Sequence, residues 1–257
     1  MKRLNNDIDL RKFYKKLDSD GPKLLFLDYD GTLAPFCDDP QLAYPYPGIK
    51  SMLDAIISNP TVRLVIITGR SISELQALLD LKQDVEIWGT HGHEHLLPNG
   101  DYSLVDLSPN QNMGLSLGVD AALSVEPLLR VEEKPGAVAF HWRTIQAKDV
   151  ERFQNQLTMK LENISQHHEL VLKKFDGGLE LISPTMDKGR AVREVLREVT
   201  PNTTVAYLGD DLTDEDAFWE LKYKGLTVLV RDELRETQAN LWIQPPDELL
   251  QFLEKWK

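Results

Sequence analysis

Short apolar runs rich in aliphatic and β-branched residues alternate with amphipathic segments towards both ends of this 257-residue chain. In chain order the runs are LLFL (24–27), VRLVII (62–67), VEIW (85–88), VAYL (205–208) and LTVLV (226–230). Buried parallel strands have this near-continuous apolar character, because helices cover both faces of a parallel sheet. The pattern therefore predicts an α/β fold in which a parallel sheet lies between two layers of helices.

One of these helices is predicted in the segment DKGRAVREVLREV (187–199). Its apolar residues recur at helical spacing and share one face: Val192, Val195, Leu196 and Val199. Asp187 is a suitable N-cap, because its carboxylate can accept hydrogen bonds from the first backbone N–H groups of the helix. The turn residues Thr200-Pro201-Asn202 are expected to end it.

The middle of the chain has a different order of predicted elements, which begins with a hairpin around Pro98-Asn99-Gly100-Asp101. The segments after it are read as a strand, a helix and two strands: AVAFHWR (137–143), KDVERFQNQLTMKLENI (148–164), LVLKKF (170–175) and LELIS (179–183). This order predicts a small antiparallel α+β unit inserted into the larger sheet. We place the insert at residues 102–180, so that residues 1–101 and 181–257 form the two parts of the core.

Composition limits the partners that this chain can have. It carries 29 basic and 41 acidic residues, and no stretch combines Lys and Arg with aromatic residues, so we expect no nucleic-acid partner. The single cysteine, Cys37, cannot form an internal disulfide, and the first residues lack the apolar segment of a signal peptide. No apolar run approaches the roughly twenty residues needed to cross a bilayer. We therefore expect a cytoplasmic protein without a membrane partner.

Two acidic residues follow directly after the run LLFL, in the sequence Asp28-Tyr29-Asp30-Gly31-Thr32. The carboxyl ends of parallel strands line the ligand crevice of open α/β folds. Gly31 allows a sharp turn, so both acids can face one small volume. An ordinary Asp-Gly turn or a helix cap is the alternative for this motif taken alone.

Three later segments offer groups that phosphate chemistry needs. Thr68-Gly69-Arg70 follows VRLVII and offers a hydroxyl and backbone N–H groups before the helix SISELQALLD, although a simple Thr cap is the alternative. Lys188 stands in the first turn of the predicted helix, where the helix dipole disfavours a cation. A nearby anion would account for a lysine there, and a solvated lysine is the alternative. Five acids fall within residues 210–216, which favours a hard divalent cation over an ordinary acidic helix start.

The four segments, in this order, resemble the motifs of the haloacid dehalogenase superfamily of phosphotransferases: DYDGT, TGR, DKG and GDDLTDE. The resemblance implies a Rossmann-like core with an inserted type-two cap, and Mg²⁺ as cofactor. It also implies a nucleophile at Asp28, a general acid and base at Asp30, and phosphate ligands at Thr68 and Lys188. The implied magnesium ligands are Asp28, the Asp30 carbonyl and Asp210, with Asp211 and Asp214 touching the ion directly or supporting the residues that do.

Further strings resemble trehalose-6-phosphate phosphatases within this superfamily: GTHGHEH (89–95), VEEKPGAVAFHWR (131–143), GLELIS (178–183) and GDDLTDEDAF (209–218). The resemblance implies hydrolysis of a small sugar phosphate, with trehalose 6-phosphate as the first choice, through an aspartyl-phosphate. It places contacts to the sugar hydroxyls at Glu132, Lys134 and Glu180, and carboxylate and ammonium groups suit such hydroxyls chemically. The other implied substrate contacts are Gly69, Arg70, His91 and Gly92. Trp142 departs from the family pattern, which usually has Tyr or Phe there.

Several alternatives remain open at this point. Glu132, Lys134 and Glu180 can form a surface ion pair and an edge-strand charge, and the three histidines of GTHGHEH can form a zinc site on one side of a strand. Another phosphosugar is the nearest alternative substrate: glucosyl- or mannosyl-3-phosphoglycerate, or sucrose phosphate. A phosphomannomutase-like phosphotransferase is a further alternative. A receiver domain is disfavoured, because its acidic pair precedes the acceptor aspartate whereas here the acidic cluster comes last.

Overall fold

The structure of the chain is a computed structural model that describes residues 1–37, 39–142, 145, 147–175 and 177–257. Residues within these ranges form two compact units. The first consists of Met1–Ser103 and Asp187–Lys257, and the second of Leu104–Met186. No helix in the described ranges combines the length and the apolar character needed to span a membrane.

The strands and helices alternate along much of the chain. The strands are β1 (Lys2–Arg3), β2 (Lys23–Leu27), β3 (Val62–Ile67), β4 (Glu86–Gly89), β5 (Glu94–Leu96), β6 (Tyr102–Leu104), β7 (Arg130–Lys134), β8 (Ala137–His141), β9 (Val171–Phe175), β10 (Gly178–Ile182), β11 (Thr204–Gly209), β12 (Leu226–Val230) and β13 (Leu241–Ile243). The α-helices are α1 (Leu10–Leu17), α2 (Ile49–Ile57), α3 (Ile72–Leu79), α4 (Pro109–Val125), α5 (Ala147–His167), α6 (Lys188–Leu196), α7 (Glu215–Leu221) and α8 (Asp247–Leu253). Short 3₁₀ turns cover Pro40–Leu42, Thr90–Gly92, Leu212–Asp214 and Glu254–Trp256.

The larger sheet has the strand order β1-β13-β12-β11-β2-β3-β4-β5-β6. Its central strands, from β13 to β4, pair in parallel, whereas β1 and β5 pair antiparallel with their neighbours. Residues of β2 alternate between two apolar clusters, because successive side chains of a strand point to opposite faces. One cluster contains Leu25 and Leu27 with residues of α1, α2, α3 and α8, and the other contains Leu24 and Phe26 with residues of α6 and α7. The predicted α/β class, with helices on both faces of a mostly parallel sheet, is confirmed.

The parallel order brings the ends of three strands to one edge of this sheet. Strands β11, β2 and β3 are neighbours, and the residues that follow them are Asp210, Asp28 and Thr68. Helix α6 packs against the turn Thr90–Gly92 and the turn Leu212–Asp214, which places its first residue at the same edge. The four sequence motifs therefore meet in the first unit.

Helix α6 begins where the sequence predicts and ends earlier. The Asp187 carboxylate accepts a hydrogen bond from the backbone N–H of Arg190 at 2.6 Å, so Asp187 is the N-cap. The helix ends at Leu196, before the predicted turn at residues 200–202, and the N–H of Arg197 is shared between the carbonyls of Arg193 and Glu194. Such shared bonds tighten the last turn of a helix.

The second unit is a sheet of order β7-β8-β10-β9, antiparallel throughout, against which α4 and α5 pack. The predicted strands and helix of the insert are present, although Arg143 lies outside the described residues. Strand β7 and helix α4 were not predicted. The predicted end of the insert at residue 180 falls inside β10, which pairs with both neighbours as far as Ile182, so the unit extends further. Trp142 contacts Phe153 edge to face in the core of this unit.

Candidate active site

Asp28 follows β2 and is paired with a buried lysine. Lys188, the first residue of α6, donates from Nζ to Asp28 Oδ1 at 2.6 Å and to Asp214 Oδ1 at 2.7 Å. Thr32 Oγ1 donates to the other oxygen of Asp28 at 3.2 Å. Burial acts to lower the pKa of Lys188, but the charges of Asp214 and Asp28 outweigh it and raise the pKa above its usual range. The alternative of a solvated lysine is therefore wrong.

Asp214 holds this lysine and is itself saturated with donors. Tyr207 Oη donates to Asp214 Oδ1 at 2.7 Å, and the backbone N–H groups of Asp210 and Asp211 donate to Oδ2 at 3.0 Å each. Together with Lys188, four donors occupy the two oxygens, which is about the accepting capacity of a carboxylate. Of the two roles left open for Asp214, these contacts favour support of the site over direct binding of an ion.

Asp210 has a buried carboxylate that no described residue satisfies. Its residue exposure is 1%, and neither of its oxygens accepts a hydrogen bond within the described part of the chain. Arg231 Nη1 lies 3.8 Å from Oδ2, beyond hydrogen-bonding distance. Carboxylate oxygens of Asp28, Asp210 and Asp214 lie within 4.8 Å of one another. A carboxylate without donors, beside the oxygens of two further carboxylates, is the kind of ligand that a hard divalent cation prefers.

The charge balance of this cluster also fits a divalent cation. Three carboxylates against one ammonium leave two negative charges in excess when all are ionised. Burial, with the charges of Asp28 and Asp214, raises the pKa of Asp210 well above its usual range. Burial also raises the pKa of Asp28 to about 7, although Lys188 acts in the opposite direction. A doubly charged cation would offset the excess and favour the ionised carboxylates.

Gly31 allows the backbone to approach the cluster, and Gly92 lies in the turn that packs against the start of α6. Gly31 has φ of 77°, and a Cβ added to it would lie 2.2 Å from Asp210 Oδ2. Gly92 has φ of 96° and packs its turn against the start of α6, where an added Cβ would lie 3.5 Å from the carbonyl of Asp187. The loop after β2 can therefore reach Asp210 only because residue 31 has no side chain.

Asp30 is held by Arg70 in a two-pronged ion pair. Arg70 Nε donates to Asp30 Oδ2 at 2.7 Å, and Nη2 donates to Oδ1 at 2.6 Å. The guanidinium also donates to the carbonyl of Pro40 at 2.8 Å and lies 5.5 Å from the ring centre of Tyr29. Such a fork fixes the plane of the carboxylate as well as its distance. Arg70 therefore positions Asp30, and its predicted contact with substrate stays a prediction.

Thr68 follows β3 and is fully buried. Its hydroxyl accepts a hydrogen bond from the N–H of Arg70 at 3.1 Å, and its carbonyl accepts one from the N–H of His91 at 2.9 Å. Ser71 caps α3 in a capping box, so the alternative that Thr68 is a simple helix cap is wrong. A Cβ on Gly69 would lie 2.7 Å from His91 Cε1 and Nε2, so this imidazole touches the loop after β3.

The histidines of GTHGHEH do not share one side of a strand. Residues 90–92 form a 3₁₀ turn, and His91 has a left-handed backbone with φ of 53°. His95 stacks on Trp88 with 3.8 Å between ring centres, and its Nε2 lies 3.0 Å from Glu86 Oε1. The strand geometry on which the zinc alternative depended is therefore wrong.

The second unit carries the predicted sugar-binding residues on one face of its sheet. Lys134 Nζ lies 3.5 Å from Glu132 Oε1 and 3.6 Å from Glu180 Oε1. Glu132 and Glu180 both pair in register with Ala139, whose small side chain separates them. Glu180 is 5% exposed and lies on β10 between β8 and β9, so the edge-strand alternative is wrong for this residue.

His141 holds Glu132, one of these three charged residues, in place. Its Nε2 lies 2.7 Å from Glu132 Oε2, and its ring meets Phe175 edge to face at 5.3 Å. Burial acts to raise the pKa of Glu132, but the hydrogen bond with His141 and the charge of Lys134 outweigh it and lower the pKa to about 2. Glu132 is therefore ionised at neutral pH and available as a hydrogen-bond acceptor.

Comparison with known families decides where this chain belongs. A family model described as trehalose-phosphatase matches residues 26–241. The chain belongs to the trehalose-phosphatase family. Among curated relatives, probable trehalose-phosphate phosphatase E of Arabidopsis thaliana is 30% identical over 93% of this chain and 72% of its own length. Trehalose-phosphate phosphatase B of the same plant is 29% identical over 91% of this chain and 67% of its own length.

Solved structures show the same fold. A trehalose-6-phosphate phosphatase related protein is similar with a TM-score of 0.72 and 26% identity, covering 90% of this chain and 96% of its own. The C-terminal domain of the Candida albicans trehalose-6-phosphate phosphatase gives a TM-score of 0.82 at 19% identity, covering 100% of this chain and 99% of its own. A haloacid dehalogenase-like hydrolase from Bacteroides thetaiotaomicron gives 0.65 at 16% identity, covering 91% and 99%. This trehalose-phosphatase family member is a phosphoric monoester hydrolase with a haloacid dehalogenase fold.

Sequence reasoning about this trehalose-phosphatase family member missed two residues that support the cluster. Tyr207 gave a weak signal, as a side chain with a polar tip inside the apolar strand β11. Arg235 gave none, because it lies in the loop between β12 and β13 and bonds backbone carbonyls of Asp210 and Asp211. The Asp211 side chain is not among the clustered carboxylates, and its predicted contact with an ion stays a prediction.

Proposed function

We propose that this phosphatase hydrolyses trehalose 6-phosphate to trehalose and phosphate, with Mg²⁺ as cofactor and a phosphorylated Asp28 as intermediate. The observation that carries the proposal is the buried pair of Asp28 and Lys188 beside the unsatisfied carboxylate of Asp210. Membership of a family named for trehalose phosphatase supports the choice of substrate.

Asp28 is the nucleophile in this proposal. A carboxylate oxygen of Asp28 forms a bond to phosphorus while the bond from phosphorus to the sugar oxygen breaks, and the electron pair stays on that oxygen. Lys188 reduces the repulsion between the two anions, because its ammonium is held 2.6 Å from Asp28 Oδ1 within a buried site. Thr68 and the backbone of Gly69 are proposed to bind the remaining phosphate oxygens.

Asp30 moves the protons in both steps. It gives a proton to the departing sugar oxygen and later takes one from the water that attacks the phosphorylated Asp28, which releases phosphate and restores the carboxylate. The ion pair with Arg70 fixes the position and the plane of the Asp30 carboxylate, so the same group is held in place for both proton transfers.

The proposed cation would be held by Asp28, Asp210 and the backbone carbonyl of Asp30. When bound, Mg²⁺ supplies charge neutralisation for attack by an anionic carboxylate on an anionic phosphate. Asp210 fits this role because its two oxygens lack donors among the described residues while those of Asp214 are filled.

Glu132, Lys134 and Glu180 are proposed to bind the sugar hydroxyls. A hydroxyl both donates and accepts, so two carboxylates and one ammonium can satisfy several hydroxyls of a disaccharide. A site built from charged groups also rejects ligands that leave those groups without partners. His91 and Gly92 are proposed to line the substrate site beside Gly69.

The test is phosphate release from a panel of phosphosugars, measured with Mg²⁺ and with EDTA. The panel contains trehalose 6-phosphate, sucrose phosphate, and glucosyl- and mannosyl-3-phosphoglycerate. We expect preference for trehalose 6-phosphate and dependence on Mg²⁺; equal rates on all members would remove the substrate assignment. Phosphate that moves to a second sugar carbon without release would instead show a phosphomutase.

The chemistry has its own test in two isosteric variants. Asp28→Asn is expected to abolish phosphate release while the fold persists, and Asp30→Asn is expected to do nearly the same. Circular dichroism and a urea unfolding curve serve as controls for folding. Substantial activity of folded Asp28→Asn with Mg²⁺ would show that another group is the nucleophile.

A further inference from the structure

Arg235 donates hydrogen bonds to the backbone of the loop that carries Asp210. Its Nε donates to the carbonyl of Asp210 at 3.1 Å, and its Nη2 donates to the carbonyl of Asp211 at 2.7 Å. Its Nη1 donates to the carboxylate of Glu215 and, at 2.7 Å, to the carbonyl of Glu236. Arg235 stands outside the four sequence motifs, yet it contacts the residue that offers the free carboxylate.

The same two residues are held from the opposite side by Asp214. The N–H groups of Asp210 and Asp211 both donate to Asp214 Oδ2 at 3.0 Å. All four backbone polar groups of this dipeptide are therefore bound by two charged side chains, Asp214 on the N–H groups and Arg235 on the carbonyls. Such bonds to charged groups are about twice as strong as neutral ones.

A simple surface ion pair between Arg235 and Glu215 does not account for these contacts. The Arg235 side chain is 17% exposed, and two of its nitrogens donate to consecutive carbonyls in addition to its pair with Glu215. Glu215 is itself fixed, because its Oε2 accepts a hydrogen bond from the N–H of Gln238 at 2.9 Å. The nearby Arg231 makes only a long contact of 3.5 Å to the carbonyl of Asp210.

The hydrogen bonds to the backbone of Asp210 help to set the direction of its side chain, because that side chain has no hydrogen bond of its own in the described structure. It lies close to the like-charged carboxylates of Asp28 and Asp214, which repel it, and 3.8 Å from the guanidinium of Arg231, which attracts it. Its direction therefore depends on the backbone from which it projects. A shift of that backbone would let the carboxylate turn from Asp28 towards Arg231.

We infer that Arg235 is a positioning residue for the cation site, which holds the Asp210–Asp211 backbone so that the Asp210 carboxylate stays beside Asp28. The inference rests on the proposed function, in which Asp28 and Asp210 bind Mg²⁺. Partners that orient metal ligands typically change metal affinity by about 10–100-fold when they are removed. Lysine cannot replace Arg235, because one ammonium cannot supply the planar fork that reaches two carbonyls and a carboxylate together.

The test is calorimetric titration of the full chain with MgCl₂ alone. Arg235→Gln and Arg235→Lys are each expected to weaken Mg²⁺ binding by about 10–100-fold. The control is Arg197→Gln, which removes an equal charge from an exposed ion pair with Glu194 in the same unit and should leave binding unchanged. In phosphate-release assays, the Arg235 variants should need more Mg²⁺ for half-maximal rate and recover most of kcat at saturating Mg²⁺.

Glu215→Gln provides a second variant in case Arg235 variants do not fold. It keeps the guanidinium but removes its charged anchor, so a smaller weakening of Mg²⁺ binding is expected. An affinity of folded Arg235→Gln within about twofold of the unsubstituted chain, where a 10–100-fold loss is expected, would overturn the positioning role and leave the proposed function intact. If the Arg235 variants do not fold, an unchanged affinity of Glu215→Gln would do the same. No Mg²⁺ binding by the unsubstituted chain would overturn the proposed cation site itself, and the inference with it.

Discussion

Asp210→Asn is expected to stabilise the chain when no divalent cation is present. The carboxylate is 1% exposed, its oxygens lack donors among the described residues, and two more carboxylates lie within 4.8 Å. Asn has the same shape without the charge, so the substitution removes repulsion and a desolvation penalty while the packing persists. The expected effect thus opposes the usual loss of stability on substitution of a buried residue.

The magnitude follows from the lack of partners. A buried polar group without hydrogen bonds costs about 1–3 kcal/mol, and a charged one costs more. The neutral amide of Asn keeps the first cost, so the gain is the additional cost of the charge and of its repulsion by Asp28 and Asp214, less the attraction of Lys188 and Arg231. We therefore expect the free energy of unfolding of Asp210→Asn in EDTA to exceed that of the unsubstituted chain by about 1–3 kcal/mol. For a chain of this size each kcal/mol corresponds to a rise in Tm of about 2–4 °C.

The assay is urea unfolding followed by circular dichroism, with EDTA and then with saturating Mg²⁺. A ligand at a thousand times its Kd stabilises the folded state by about 4.1 kcal/mol, and the unsubstituted chain should gain this while Asp210→Asn gains little. The order of stability should therefore reverse between the two conditions. Asp20→Asn, at an exposed position, removes the same charge and should change stability by less than about 0.5 kcal/mol in both.

Two results would refute the reasoning about Asp210. Lower stability of Asp210→Asn in EDTA would show that the carboxylate is satisfied in solution. An unchanged response to Mg²⁺ would show that the cation binds elsewhere. Loss of phosphate release by itself decides neither point, because the substitution also removes a group from the proposed reaction.

Three further outcomes are expected. Tyr207→Phe removes the donor to Asp214 at 2.7 Å, and we expect a loss of about 1.5–3 kcal/mol in the free energy of unfolding, together with a lower kcat because Lys188 is held less firmly; unchanged urea curves would contradict this. Glu180→Ala should raise KM for the sugar phosphate far more than KM for an aryl phosphate, and equal effects in steady-state assays would remove its role in sugar recognition. Because the pKa of Asp28 is raised to about 7, this carboxyl is protonated below that pH and must lose its proton to bind Mg²⁺. Affinity should therefore rise as the pH rises through about 7, with proton release measured by calorimetry in two buffers, and affinity independent of pH from 6 to 8 would contradict the raised pKa.

The features that sequence reasoning found share a simple physical origin. Apolar strands predict a parallel sheet, and a parallel sheet collects the residues after its strands at one edge, so Asp28, Thr68 and Asp210 could be assigned to one site from order alone. The contacts of Lys188 with Asp28 and Asp214 then follow from the charges of the groups that meet there.

The missed features depend on contacts that leave no pattern of residue types. Helix α4 carries Gly114 and Gly118, where an added Cβ would lie 2.4 Å from His168 and 2.9 Å from Leu181, so close packing selected residues that weaken the helical signal. The turn at His91 depends on a left-handed backbone at a residue other than glycine, which alternation of polar residues conceals. Arg235 binds carbonyls, which every residue possesses.

The strand order also has a consequence for how the chain is synthesised. Strand β2, which leads to Asp28, pairs with β3 on one side and with β11 on the other, and β11 comes after the whole second unit. At about 5–20 residues per second, β11 leaves the ribosome roughly 10–35 s after β2. During that time β2 presents an open apolar edge, of the kind that recruits other chains. Early folding of the second unit would shorten the length of unfolded chain between β2 and β11. Slow folding of the second unit is therefore expected to lower the soluble yield of the first.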